Sequence, residues 1–220
     1  MKPVNERVTR RRRAGFTLLE MLITVALLGT TLLSIGVSFE RATAAFEESR
    51  TDRDLETQAF RALDQIAGEF LDAGVGQIPL PPSAPLGSDS ITYRRAAGFD
   101  GVNVLWGDFV TVELELEEGE LDDGADNNGN GLVDERVAVW IENKGQPNER
   151  RRVITRWVRE LLEGEIANGN DDNGNALEDE RGLSFEMQGN VLVIRLTLER
   201  IGYKGRNAIA TVQTSVRLRN

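Results

Sequence analysis

Three observations predict an α+β fold. An apolar run from Phe16 to about Phe39 passes into a stretch whose apolar residues recur at steps of three and four. Gly and Pro then cluster over residues 74–85, and beyond them the apolar period drops to two. A helix first and an antiparallel sheet after it is the order these patterns dictate.

In the helical part, Leu55, Ala59, Leu63, Ile66 and Phe70 form one apolar stripe, with Glu47, Arg50, Asp54 and Arg61 on other faces. No Gly or Pro lies between Gly36 and Gly68. The spacing therefore predicts one long helix from about Phe16 to Asp72. Residues 16–39 make its membrane or filament-core half and 40–75 its amphipathic half, the latter packed on a β-sheet head. Gly74, Gly76 and the run 79–85, which holds four of the six prolines, end the helix.

The head is expected over 76–220. Val110, Val112, Leu114 and Leu116 alternate with Thr111, Glu113, Glu115 and Glu117. Leu192, Ile194, Leu196 and Leu198 form a second apolar face, and Ala208, Ala210, Val212, Val216 and Leu218 a third. Segments 137–141 and 153–158 read as strands joined through 143–147. Half-buried antiparallel sheet follows from this alternation.

Composition narrows the function. The 220 residues include no Cys and no His, which removes disulfides, thiolate chemistry, the commonest general base and the usual zinc ligands. The net charge of −10 argues against a nucleic-acid partner. That charge is unevenly placed. Lys2, Arg7, Arg10, Arg11, Arg12 and Arg13 against Glu6 leave +5 on residues 1–15, so the remainder carries −15.

The basic head stands immediately before the apolar run, which is about long enough to span a bilayer. Four consecutive arginines are expected to stay cytoplasmic and to send the carboxy-terminal side outward. A secretory signal would place its small-residue cleavage site after the apolar run. Here Ala14-Gly15 lies before it. Glu20 is the single charge in the run. A carboxylate costs about 2.5–3.5 kcal/mol near mid-membrane, and four residues from the end of the run it costs less but still asks for a partner.

The string RRRAGFTLLEMLITVALLG resembles the class III signal of type IV prepilins and type II secretion pseudopilins. The resemblance implies that residues 1–15 are a leader, that a prepilin peptidase cuts between Gly15 and Phe16, and that the new amine of Phe16 is methylated. It also implies that Glu20 pairs in assembly with the terminal amine of a neighbouring subunit. Many major pilins carry a Pro near the position of Val37, and this chain does not. Any local melting of the helix is left to Gly29-Thr30-Thr31 or Gly36. The order of elements and the ending TSVRLRN resemble, more loosely, the J-class minor pseudopilin of type II secretion and the W-class minor pilin of type IV pili. A pilin-like fold is then expected, on a single-pass inner-membrane subunit with a periplasmic head that joins other minor and major pseudopilins in a pseudopilus.

An internal repeat lies 45 residues apart. Segments 118–136 (EGELDDGADNNGNGLVDER) and 163–181 (EGEIANGNDDNGNALEDER) share twelve of nineteen positions. Asp126, Asn128, Asn130 and Asp134 occupy loop positions one, three, five and nine, as do Asp171, Asn173, Asn175 and Asp179. Calcium takes six to eight oxygens, which alternate residues of a tight loop can supply. The pattern resembles the aspartate-rich loops of EF-hand-like calcium proteins, with Leu132 and Leu177 offering backbone carbonyls. Position twelve is Val137 or Gly182, so Glu135 and Glu180 are the candidates for a bidentate ligand. Position six is Gly131 in one loop and Ala176 in the other, where a left-handed backbone costs about 1 kcal/mol or more, making the second site weaker. Asn-Gly pairs also make hairpin turns without any metal.

A structural filament subunit is the expectation, in a type II secretion pseudopilus or, alternatively, a type IV pilus. A calcium-dependent adhesin on such a filament shares these features. An enzyme is not expected, because the dense carboxylates sit in Gly/Asn-rich loops that suit a cation.

Overall fold

The structure, a computed structural model, describes residues 15–219. The basic head over 1–14, with the arginines expected to fix topology, lies outside the described residues. The elements run α1 (Leu18–Phe70), a 3₁₀ turn at Val75–Gln77, β1 (Ser90–Phe99), β2 (Val104–Leu116), β3 (Arg136–Glu142), β4 (Arg150–Val158), β5 (Leu183–Gln188), β6 (Val191–Ile201), a turn at Tyr203–Gly205, and β7 (Asn207–Arg217). This is the expected α+β arrangement, a long amino-terminal helix followed by a seven-stranded antiparallel sheet. The chain divides into two compact units, one ending at Phe46 and one beginning at Glu47.

In the first unit α1 runs unbroken through Gly29 and Gly36. Thr17 caps it: its Oγ1 accepts the Glu20 backbone N–H at 3.2 Å. Every side chain from Phe16 to Thr43 is exposed, and most are large and apolar. The hydroxyls among them turn back onto their own helix. Thr24 donates to the Glu20 carbonyl at 2.7 Å, Thr31 to Leu28 at 2.8 Å and Ser38 to Ser34 at 2.8 Å. Such internal pairing is what a helix needs in a medium that offers no hydrogen bonds.

In the second unit the stripe is buried as its spacing predicts: Leu55, Ala59, Leu63, Ile66 and Phe70 are almost inaccessible. It packs on one sheet face with Ile91, Tyr93, Val110, Val112, Phe185 and the alternating residues of β6 and β7. Phe70 lies tilted at 42° against Tyr93 at a centroid distance of 4.4 Å and meets Phe185 edge-on at 6.1 Å.

The sheet order is β1-β2-β3-β4-β6-β5, with β7 on the other edge of β6. β6 pairs with β5 from Val191 to Leu196 and meets β4 at Leu198, so β4 and β5 follow one another along one edge. Being central, β6 is buried on both faces. On the face of β2–β4 away from α1, Val137, Val139 and Ile141 form a small second cluster. Ion pairs of Glu113 with Lys144, Glu115 with Arg151 and Glu117 with Arg156 flank it, so the polar half of the β2 alternation becomes a charged ladder. The β3–β4 connection turns at Asn143, as expected, with the Gln146 N–H on the Asn143 carbonyl at 2.9 Å.

Two strands escape the sequence reading, β1 and β5. Paired arginines interrupt the alternation of β1 (SITYRRAAGF), and β5 (LSFEMQ) carries a buried charge, Glu186, bound to Arg195 of β6 at 3.0 Å.

The last turn of α1 is fixed by one carboxylate. Glu69 Oε2 accepts from Tyr93 Oη (3.3 Å), Trp140 Nε1 (3.2 Å) and Arg95 (3.1 Å), and its Oε1 accepts from Arg152 (3.2 Å). Both arginines also lie over the Trp140 ring.

Candidate assembly segment and paired acidic loops

Gly15 and Phe16 form an exposed, non-helical lead-in to α1. Glu20 falls at the third helical position after the Thr17 cap, in the order Ser/Thr-x-x-Glu of a capping box. An acidic side chain in the first turn also suits the positive end of the helix dipole. The carboxylate thus stands in the first turn, near Phe16, on an otherwise apolar surface. α1 is long and apolar enough over this stretch to cross a membrane.

The prokaryotic N-terminal methylation motif matches residues 10–36. The match spans the four arginines Arg10–Arg13, the Gly15-Phe16 pair, Glu20 and the apolar turns that follow. It supports a type IV pilin-like protein with prepilin-type processing, and with the exposed apolar helix it supports membrane anchoring. No curated protein and no solved structure matches the chain.

The two acidic loops join β2 to β3 and β4 to β5. They close in the same way. The Glu117 N–H meets the Glu135 carbonyl at 3.0 Å, and the Leu162 N–H meets the Glu180 carbonyl at 2.9 Å. Backbone angles repeat as well: Asp134 and Asp179 have φ 50° and 49°, and Gly131 and Ala176 have φ 91° and 71°. Ala176 therefore takes the left-handed conformation that its Cβ opposes.

Each side chain named from the pattern has a definite place. Asp126 folds onto its own loop, accepting from the N–H groups of Gly129 (2.6 Å), Asn130 (3.2 Å) and Gly131 (2.8 Å). Asp171 does the same with Gly174, Asn175 and Ala176. These donors, Ala176 foremost, hold the Asp171 carboxyl below its usual range. Asp134 and Asp179 accept from Gly124 (2.8 Å) and Gly169 (2.6 Å), away from the loop centre. Leu132 and Leu177 bury their side chains.

The loop centre is made by the asparagines and Glu135 or Glu180. Asn128 Nδ2 donates to Glu135 Oε1 at 2.8 Å, and Asn130 Nδ2 donates to the same oxygen. Asn173 Nδ2 reaches Glu180 Oε1 at 3.4 Å, again joined by Asn175. A second glutamate, absent from the expected set, completes each centre. Glu120 Oε1 accepts the Asn128 N–H at 2.8 Å, and Glu165 Oε1 accepts the Asn173 N–H at 3.1 Å. All four glutamates are buried. Burial pushes the Glu165 carboxyl above its usual range, and the charge of Glu180 adds to that push. The signal was present in the sequence: Glu120 and Glu165 are matched positions of the repeat.

Asp122, Asp134 and Glu160 also converge, with carboxylate oxygens within 4.8 Å of one another. Two of the three already have cations: Arg136 on Asp122 at 3.1 Å and Arg181 on Glu160 at 2.7 Å. This trio reads as part of an ion-pair network.

Proposed function

We propose that this chain is a structural minor pseudopilin of a type II secretion system. A prepilin peptidase removes residues 1–15 and methylates Phe16. The subunit, anchored in the bacterial inner membrane with its head in the periplasm, then enters the pseudopilus near its tip. It works by assembly rather than catalysis. The motif over residues 10–36 carries the reading.

Three features support it. The exposed apolar face of α1 needs lipid first and neighbouring helices later. Glu20 needs a cation there, and cleavage at Gly15 creates an amine four residues away. The processed chain carries −15, since leader removal takes +5 from a total of −10. Copies so charged repel when stacked side by side, which favours a subunit used sparingly. A minor pilin of a type IV pilus rests on the same membrane chemistry, and partners separate the two.

Co-expression of the full chain with a prepilin peptidase should yield a mature terminus at N-methyl-Phe16, read by mass spectrometry. A Met1 start in cells with active peptidase refutes the processing. Photo-crosslinking from the membrane-embedded full chain should capture secretion pseudopilins, and capture of pilus subunits instead moves the protein to the pilus. Glu20→Leu should still insert but enter filaments less efficiently. Wild-type incorporation would show that the carboxylate is dispensable.

A further inference from the structure

We propose that each acidic repeat is a calcium site built around a pair of buried glutamates, Glu120 with Glu135 and Glu165 with Glu180. The proposal does not depend on the filament reading. It rests on carboxylate oxygens that are buried and bare. Glu135, Glu165 and Glu180 are 2%, 4% and 3% exposed. The Oε2 atom of each is sealed from solvent and accepts no hydrogen bond. Glu120, 6% exposed, is only slightly better provided, with one backbone N–H on each oxygen at 2.8 and 3.5 Å.

A buried carboxylate must be paired or neutralised, because its desolvation otherwise costs several kcal/mol. Among the described residues no Lys or Arg forms an ion pair with any of the four. The nearest in sequence, Arg136 and Arg181, pair with Asp122 and Glu160. Nor are the glutamates scattered. In each loop both carboxylates hold the same asparagine, one by its backbone N–H and one by its carboxamide. Two negative groups therefore meet across one residue, with bare oxygens left over. The same arrangement arises twice, from segments differing at seven of nineteen positions.

The donor chemistry selects the ion. Every group at the centre is oxygen or can present one: carboxylates, and Asn carboxamides that offer a carbonyl oxygen after a half-turn. The chain has no Cys or His to favour a softer metal. Two carboxylates match a doubly charged ion. An irregular all-protein cage suits calcium, whereas magnesium keeps its waters and demands octahedral geometry. The left-handed Ala176 makes the second loop the harder to hold in shape, by about fivefold in affinity.

The test uses the full chain in detergent micelles, stripped with chelator and titrated calorimetrically with calcium chloride. Two ions should bind per chain, and the melting temperature should rise in calcium and much less in magnesium. Glu135→Gln and Glu180→Gln should each abolish one binding event, and together both. Each variant should melt no lower than wild type in chelator, because a neutral amide replaces an unpaired buried charge. A merely structural glutamate would lower melting in chelator and calcium alike, and that result overturns the proposal. So does a titration without binding heat, or a double variant that still binds two ions. An equal response to magnesium overturns the choice of calcium. Glu120→Gln gives an independent reading if either variant fails to fold, since its carboxylate already holds backbone donors. It should weaken the first site and leave the second unchanged.

Discussion

Glu69→Ala should be among the most damaging single changes to the polar interior of the head. The position is unfavourable for the helix itself, because a negative charge in the last turn opposes the dipole. Its presence is explained by its four donors from β1, β3 and β4. Truncation leaves the fully buried Tyr93 hydroxyl without an acceptor, which costs about 1–3 kcal/mol. The arginines contribute less, since Arg95 and Arg152 are 40% and 50% exposed and solvent screens such pairs to about 0.2–1 kcal/mol each. The sum is about 3 kcal/mol, or roughly 6–12 °C in melting temperature for a chain of this size. Near-UV circular dichroism of the full chain in micelles reports the melt. Glu69→Gln keeps an acceptor and should lose only about 1 kcal/mol. Tyr93→Phe placed on the alanine variant should recover about 1–2 kcal/mol, because it removes the orphaned hydroxyl. Strict additivity in that cycle, or a Glu69→Ala variant that melts with wild type, refutes the reasoning.

Two further outcomes follow from the same head. Burial, aided by the Glu69 charge, pushes the Tyr93 hydroxyl well above the ordinary phenol range. The unfolded chain sheds this proton near pH 10 while the folded chain keeps it. Stability should therefore fall above about pH 10, by up to about 1.4 kcal/mol per pH unit, and Tyr93→Phe should remove that component from melts recorded between pH 8 and 11. Gly182→Ala should lose about 3 kcal/mol or more, since a Cβ there would lie 2.0 Å from the Arg159 carbonyl oxygen. Protease resistance matching wild type would show that the backbone there can give way.

What could be read in advance depended on how each residue is paid in water. The stripe Leu55–Phe70 and the alternation of β7 were legible because one face of each is apolar and the other wet. β5 was not, because Ser184 and Glu186 are buried along with Leu183 and Phe185, and only the partner Arg195 explains the charge. The acidic loops were legible as a repeat, but Glu120 and Glu165 were passed over. Their burial depends on each loop folding back over its own first turn, where Asn128 and Asn173 close on them, and spacing does not encode that closure. Glu69 was hidden for a similar reason: its donors lie between 24 and 83 positions away in sequence.

The bare surface of α1 also limits how the subunit can travel. Fourteen large apolar side chains from Phe16 to Phe39 stand open. At about 1.5 kcal/mol or more each, wetting them all costs on the order of 20 kcal/mol. With each 1.4 kcal/mol a factor of ten, an excursion through water is suppressed by more than about ten orders of magnitude. Whatever apolar phase holds this helix can release it only to another in direct contact. Exchange is then a handover at a shared boundary, and its rate is set by how often donor and acceptor touch rather than by diffusion of free subunits.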